Sequence, residues 1–204
     1  MRKTMRKKKS VKRKFMKQKK IRVKKGRKTL KTKKRGGGKI YTENGDFENL
    51  EEKHDNKEIF RKMIGNGEDG KTEMKISEIL MENPHQNIVK IYKINYKEPK
   101  YIDMEMVDTD LSNISAEEIK EKMRNVKDYL QSLGIMYIDW KPDNIGIGED
   151  GELKLFDFDV SGLLDPIHGN WIMPPPKYAA YKEAIKNGMK TPKEIDDYTF
   201  EQEL

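Results

Sequence analysis

The chain of 204 residues has no cysteine, which excludes a disulfide framework, a thiolate nucleophile and a Cys-ligated zinc site. A reducing compartment fits that composition. Histidine is nearly as scarce. His54, His85 and His168 are the only three, and their spacing offers no ligand-like pair, so a histidine metal site is not expected. No apolar run approaches the ~18 residues of a membrane span. The charged N-terminus lacks the apolar core of a secretory signal. These absences lead us to expect an intracellular protein of the cytoplasm or nucleus, without a membrane partner.

Acidic residues are missing from positions 1–39, which carry 22 of the 43 Lys and Arg residues. The other 21 basic residues face all 35 carboxylates, a net of −14 over residues 40–204. A basic arm is thus joined to an acidic body. Residues 1–35 hold too few large apolar side chains to offset the entropy of ordering them. Gly36-Gly37-Gly38 follows as a flexible joint. The expected division is a disordered arm with its glycine linker over residues 1–38 and a folded domain over 39–204. Residues 1–35 suit sequence-independent binding to nucleic-acid phosphates, or docking on an acidic partner. Phe15 is the arm's lone aromatic residue, too little for recognition by stacking.

Within the body, short strand-like segments dominate first, at 39–42, 47–50, 58–64, 88–94 and 101–106. One helix interrupts them, because Glu73, Ile76, Ile79 and Leu80 recur at helical spacing. Ser115-Ala-Glu-Glu118 has the pattern of a capping box. Ile119, Met123, Val126, Tyr129 and Leu130 then form the buried stripe of a helix ending at Gly134. Strands are expected at 145–147 and 153–156, turned by Glu149-Asp-Gly151. Pro174-Pro-Pro176 breaks the chain before two helical stretches. The last begins at Thr191-Pro192, with Thr as N-cap and Pro at the first helical position.

Chemistry concentrates after the long helix, in Tyr137-Ile-Asp-Trp-Lys-Pro-Asp-Asn144 and Phe156-Asp-Phe-Asp159. A carboxylate on a loop can orient a hydroxyl and accept its proton, a task open to Asp139. A carboxamide and a downstream carboxylate, Asn144 and Asp157, can share a divalent cation that bridges nucleotide phosphates. Lys141 lies where a cation neutralises charge on a transferred phosphoryl group. Any one of these aspartates alone reads as an ordinary loop residue. Their order, with a helix before and a hairpin between, argues for a site.

The stretch from Leu130 to Ile145 resembles the catalytic loop of eukaryotic-type Ser/Thr protein kinases, whose pattern is H-R-D-x-K-x-x-N, a hairpin, then D-F-G. The resemblance implies an α+β, two-lobed protein-kinase-like fold. Its small β-rich N-lobe with one helix would span 39–107, and a mainly helical, reduced C-lobe 108–204. It also implies ATP and Mg²⁺, with Asp139 as catalytic base, Lys141 facing phosphate, and Asn144 and Asp157 as metal ligands. Phe60-Arg-Lys-Met-Ile64 resembles the strand bearing the ATP-anchoring lysine, here Lys62. Glu73 is the candidate ion-pair partner, and Glu78 is its rival by spacing. His85-Gln-Asn-Ile-Val-Lys-Ile-Tyr92 is similar to the stretch after that helix, where His85 is expected to pack or cap. Tyr101–Leu111 resembles the last small-lobe strand and hinge, so Met104, Glu105 and Val107 would meet adenine. Gly45, in Glu43-Asn-Gly-Asp-Phe-Glu-Asn-Leu50, is the best match to the phosphate-cradling glycines.

Several positions depart from the family pattern. Tyr137-Ile138 replaces His-Arg, removing an arginine that would bind an activation-loop phosphate. Asp159 replaces the glycine of D-F-G, while Glu43 and Glu48 replace the outer glycines of the phosphate loop. The chain also runs only 45 residues past Asp159, so a compact C-lobe is expected. Three readings compete: a Ser/Thr protein kinase, a small-molecule kinase on the same scaffold, and an impaired pseudokinase scaffold. A basic arm ending in glycines before a divergent kinase domain is similar to proteins of large DNA viruses, which would extend the expected location to the virion.

Overall fold

A computed structural model describes residues 53–54, 57–165, 167–176 and 179–204. The basic arm, the expected strands at 39–42 and 47–50, and Gly45 lie outside the described residues.

The first half is built on an antiparallel sheet of order β1-β2-β4-β3, formed by β1 (Lys53–His54), β2 (Lys57–Met63), β3 (Ile91–Asn95) and β4 (Tyr101–Glu105). In β2 and β4, Arg61 stands opposite Asp103 and Lys62 opposite Ile102. Helix α1 (Glu68–Glu82) buries Glu73, Ile76, Ser77 and Leu80, the i, i+3, i+4, i+7 set that faces a core. The strand expected at 88–94 begins later, at Ile91. Ile88 and Val89 are drawn instead to Leu155, where Val89 N–H donates to the Leu155 carbonyl at 3.0 Å.

The second half opens with α2 (Ala116–Ser132), whose N-cap Ser115 accepts from the Glu118 N–H at 3.1 Å. Strands β6 (Ile145–Ile147) and β7 (Leu153–Leu155) form the expected hairpin. Its turn needs Gly151, which has a φ of +79°, a region open to glycine at no steric cost. A second small sheet, β5 (Ile135–Met136), β8 (Gly162–Leu164) and β9 (Trp171–Met173), was not expected. Its strands are two or three residues long, too short for period-two alternation to register. Helices α3 (Ala179–Lys186) and α4 (Pro192–Glu203) follow. Thr191 and Glu194 complete a reciprocal capping box at the start of α4.

One apolar core runs from Ile76 and Leu80 of α1 through Ile102 and Met104 to Met123, Val126 and Leu130 of α2, then to Phe200 of α4. A smaller one joins Met136 and Ile138 to Ala184 and Ile195. Along residues 135–138 alternate side chains enter opposite cores: Ile135 and Tyr137 the first, Met136 and Ile138 the second. Each fully buried side chain of this size contributes roughly 1.5–3 kcal/mol. The two cores therefore grip the loop that follows from both sides. No helix among the described residues is long and apolar enough to cross a membrane.

Candidate active site

Lys62 projects from β2 into the core side of the sheet, where its ammonium lies 2.5 Å from Glu73 Oε1 and 2.6 Å from Asp157 Oδ1. Burial works against that charge, but the carboxylates of Glu73 and Asp157 hold the ammonium above its ordinary value. Burial pushes the Glu73 carboxyl up to about 7, with Lys62 opposing the shift. Glu78 does not reach Lys62. It lies five residues, about 140°, around the helix from Glu73. There it binds Lys75 at 2.7 Å and accepts from the Tyr96 hydroxyl. Along β2 the neighbouring Arg61 faces the other way, making a bidentate pair with Asp103 at 2.5 and 2.8 Å over the Tyr101 ring.

Asp139 lies in the loop after β5, its carboxylate buried. Its Oδ2 accepts from Asn144 Nδ2 at 2.7 Å and lies 2.6 Å from Lys141 Nζ. Asn144 also donates to the Asp139 carbonyl at 3.1 Å. The short 3₁₀ turn Pro142–Asn144 brings the amide back onto the carboxylate, and Pro142 suits its first position. The Asn144 carbonyl accepts from Phe156 N–H at 3.0 Å, tying the loop to the segment carrying Asp157. Asp157 itself has a φ of +65°, a conformation that costs free energy in a non-glycine residue. Tyr137, fully buried, donates its hydroxyl to the Phe156 carbonyl at 2.6 Å and meets Phe158 edge-on at 5.2 Å.

Asp159 is half-buried. Burial and the neighbouring Asp157 raise its carboxyl above the ordinary range, against the pull of Lys62 and Lys141. Asp139, Asp157 and Asp159 are thus close enough to repel, with two lysines between them and neutrality. Among the described residues no three His, Cys, Asp or Glu side chains are grouped to hold a metal alone. Asn144 and Asp157 offer one carboxamide and one carboxylate. That oxygen set fits Mg²⁺, which keeps water and substrate phosphate in its remaining positions.

At the end of β4, Met104 is buried and Glu105 N–H donates to the Lys90 carbonyl at 2.9 Å. Val107 lies directly over Gly146 of β6: a Cβ there would stand 2.6 Å from Val107 Cγ2. Asp108 and Ile147 exchange two backbone bonds, at 2.9 and 2.7 Å, clipping this segment to the hairpin beside Asn144. A separate cavity of about 410 Å³ lies among Leu80, Pro84, Ile91, Tyr92, Glu105 and Lys154. It shares only Glu105 with the candidate set. His85 packs against Tyr129 at 4.6 Å and accepts from the Asn87 N–H.

Sequence reasoning missed one group entirely. Asp196 of α4, fully buried, accepts from Ile138 N–H at 3.0 Å and Trp140 Nε1 at 2.8 Å on one oxygen, and from Gln131 Nε2 at 2.8 Å on the other. Burial raises its carboxyl, against those three donors. Nothing in the sequence marks Asp196 among the acidic residues of an amphipathic helix; a buried face shared with Ile195, Thr199 and Phe200 was the available signal.

A model of the protein kinase domain matches residues 42–198. The chain is similar to the Arabidopsis thaliana "Serine/threonine-protein kinase OXI1", at 56% identity over 39 residues, covering 19% of this chain and 9% of that protein. It is also similar to the "CBL-interacting serine/threonine-protein kinase 26" of the same plant, at 29% identity over 112 residues, 47% of this chain and 26% of that one. The human "Ribosomal protein S6 kinase alpha-3" matches at 35% identity over 96 residues, 41% of this chain and 13% of that protein. The chain spans about a quarter or less of the length of these relatives.

Proposed function

Because the chain belongs to the protein kinase domain family, we propose that it transfers the γ-phosphoryl group of ATP to a protein Ser or Thr hydroxyl. One observation carries this reading: Lys62 joins Glu73 of α1 to Asp157, in a site whose other side holds Asp139 between Lys141 and Asn144. Lys62, steadied by Glu73, positions the α- and β-phosphates. Asn144 and Asp157 would hold Mg²⁺, which when bound would supply positive charge against the nucleotide phosphates. Met104, Glu105 and Val107 border the adenine, and Gly45, outside the described residues, is the sequence candidate for contact with the phosphates. Asp139 orients the acceptor hydroxyl and accepts its proton, while Lys141 offsets charge on the group in transit. Most of the rate then derives from positioning and charge stabilisation.

A second reading, transfer to a small-molecule hydroxyl, is favoured by Asp159, whose carboxylate stands beside Asp157 where phosphate and metal would meet. Radiolabelled ATP with a mixed panel of proteins and metabolites separates the two by which acceptor becomes labelled. Labelling of neither, with no Mg²⁺-ATP binding, rejects both and leaves a pseudokinase scaffold. Transfer that persists in Asp139→Asn rejects Asp139 as the base.

The basic arm fits a second activity of this chain, sequence-independent binding of nucleic acid, in keeping with the cytoplasm, the nucleus or a virion. With 22 positive charges in 39 residues, its affinity should fall steeply with salt. Filter binding at rising salt tests this, and a flat response rejects it.

A further inference from the structure

Asp139 is flanked on both sides by residues tethered to the same atom. Ile138 before it donates its backbone N–H to Asp196 Oδ1 at 3.0 Å, and Trp140 after it donates its indole N–H to that oxygen at 2.8 Å. Asp139 is therefore the apex of an arch with both feet on one carboxylate oxygen. The arch is under tension. Ile138 holds a φ of +69°, which a β-branched residue adopts only when its surroundings impose it. Within the arch, Asp139 N–H donates to the Tyr137 carbonyl and Lys141 N–H to the Asp139 carbonyl, both at 2.9 Å. These two-residue closures leave Asp139 little freedom to move.

The oxygen at the foot is itself held. Asp196 is fully buried and its three donors, Gln131, Ile138 and Trp140, are all neutral. Losing any one leaves a buried carboxylate short of a bond. Of the three, Trp140 donates from a ring packed against two others. Its ring is fully buried, edge-on to Phe200 at 5.1 Å and 4.7 Å from Tyr137. Phe200 lies one helical turn along α4 from Asp196, so the ring and the carboxylate dock the same helix face. The indole thus sets where the carboxylate oxygen stands, and that oxygen sets the turn at Ile138.

We propose that Trp140 is a positioning residue for Asp139, its indole N–H closing the arch that holds the Asp139 carboxylate at the height of the acceptor hydroxyl. This rests on the reading of Asp139 given above. Packing alone could be served by any large apolar side chain, whereas this role requires the N–H.

The test uses the full chain in two forms, Trp140→Phe and Trp140→3-benzothienylalanine, the second of which keeps the bicyclic shape and lacks the N–H. Two quantities are read: kcat and KM for ATP, and amide hydrogen exchange at Ile138 against Val126 and Leu130 of α2. We expect kcat to fall about tenfold or more, the weight of one hydrogen bond to a buried charge, with KM for ATP within about twofold. Exchange at Ile138 should rise about tenfold or more, with α2 unchanged. Wild-type exchange at Ile138 in the benzothienyl form overturns the proposal. So does an unchanged kcat, or protection lost equally across α2, which would make Trp140 a core side chain only. A wild-type chain that transfers no phosphate removes the functional reading instead, and the exchange measurement still decides whether the indole holds the arch.

Discussion

The Tyr137 hydroxyl donates to the Phe156 carbonyl at 2.6 Å, so the segment before Asp139 is bonded to the residue before Asp157, beside the bond from Phe156 N–H to the Asn144 carbonyl. Phe158 lies edge-on to the same Tyr137 ring, which places a ring contact beside the polar one. The two candidate carboxylates are thereby set at a fixed separation without contacting each other directly.

Tyr137→Phe keeps the ring contacts and deletes that bond. The expected cost is about 1–2 kcal/mol of stability, read as a lower urea midpoint at unchanged slope. Phosphotransfer should fall further than stability accounts for, because Asp157 loses one of the bonds that register it on the Asp139 loop. Equal activity in the two proteins would show that the separation is set elsewhere.

Lys62→Met removes the cation that pairs with both Glu73 and Asp157. A reduction of roughly 100-fold or more in kcat/KM is expected, the scale of losing a charged contact to the reacting phosphates. Glu78→Gln, on the outer flank of α1, should leave the rate within about twofold, since Glu78 is bonded to Lys75 and Tyr96 instead. Steady-state kinetics on both variants decide between the two glutamates by function.

Gly146→Ala places a methyl group 2.6 Å from Val107 Cγ2 and 2.9 Å from the Asp108 carbonyl. The Val107 segment must then move off the hairpin, at a cost of about 1–3 kcal/mol. Nucleotide affinity should weaken by roughly tenfold, equivalent to about 1.4 kcal/mol, measured by calorimetric titration with ATP. Gly151→Ala provides the contrast. There a Cβ meets nothing within 4 Å, so only the cost of its positive φ, about 1 kcal/mol, should be seen, with ATP affinity retained.

Asp197 governs an acid-side response. Partial burial works against its carboxylate, but bonds from Lys127, Lys193 and Gln131 prevail and bring its pKa down to about 2. A carboxyl depressed in the folded state contributes stability above its unfolded value near 3.8. That contribution is lost as pH falls through about 2. With the group one-third exposed, solvent screening leaves about 1 kcal/mol. Between pH 4 and 2, Asp197→Asn should therefore lose less stability than the parent in thermal melts; identical slopes would remove the α2–α4 ion pair from the account.

Much of the candidate site was legible because it is local in the chain. Asp139, Lys141 and Asn144 share one loop, and the hairpin that returns the chain to Asp157 is specified by a glycine turn and two short apolar runs. Helices α1, α2 and α4 were readable from apolar spacing and caps, since those signals act within a few residues. What local pattern could not decide were choices among chemically equal candidates and contacts across long separations. Glu73 and Glu78 are both helical glutamates, and only the side of α1 that packs against the sheet selects the first. The sheet of β5, β8 and β9 exists because Leu163 and Gly162 find Ile135 and Met136, not because three residues have a strand preference of their own. Asp196 lies 56 residues from Trp140 and resembles any acidic residue of an amphipathic helix until α4 docks. The sequence by itself determined which side chains were available for chemistry and the order in which the chain presents them. Burial, which turns a glutamate, an aspartate and an indole N–H into fixed partners by removing their water, was decided only by tertiary structure.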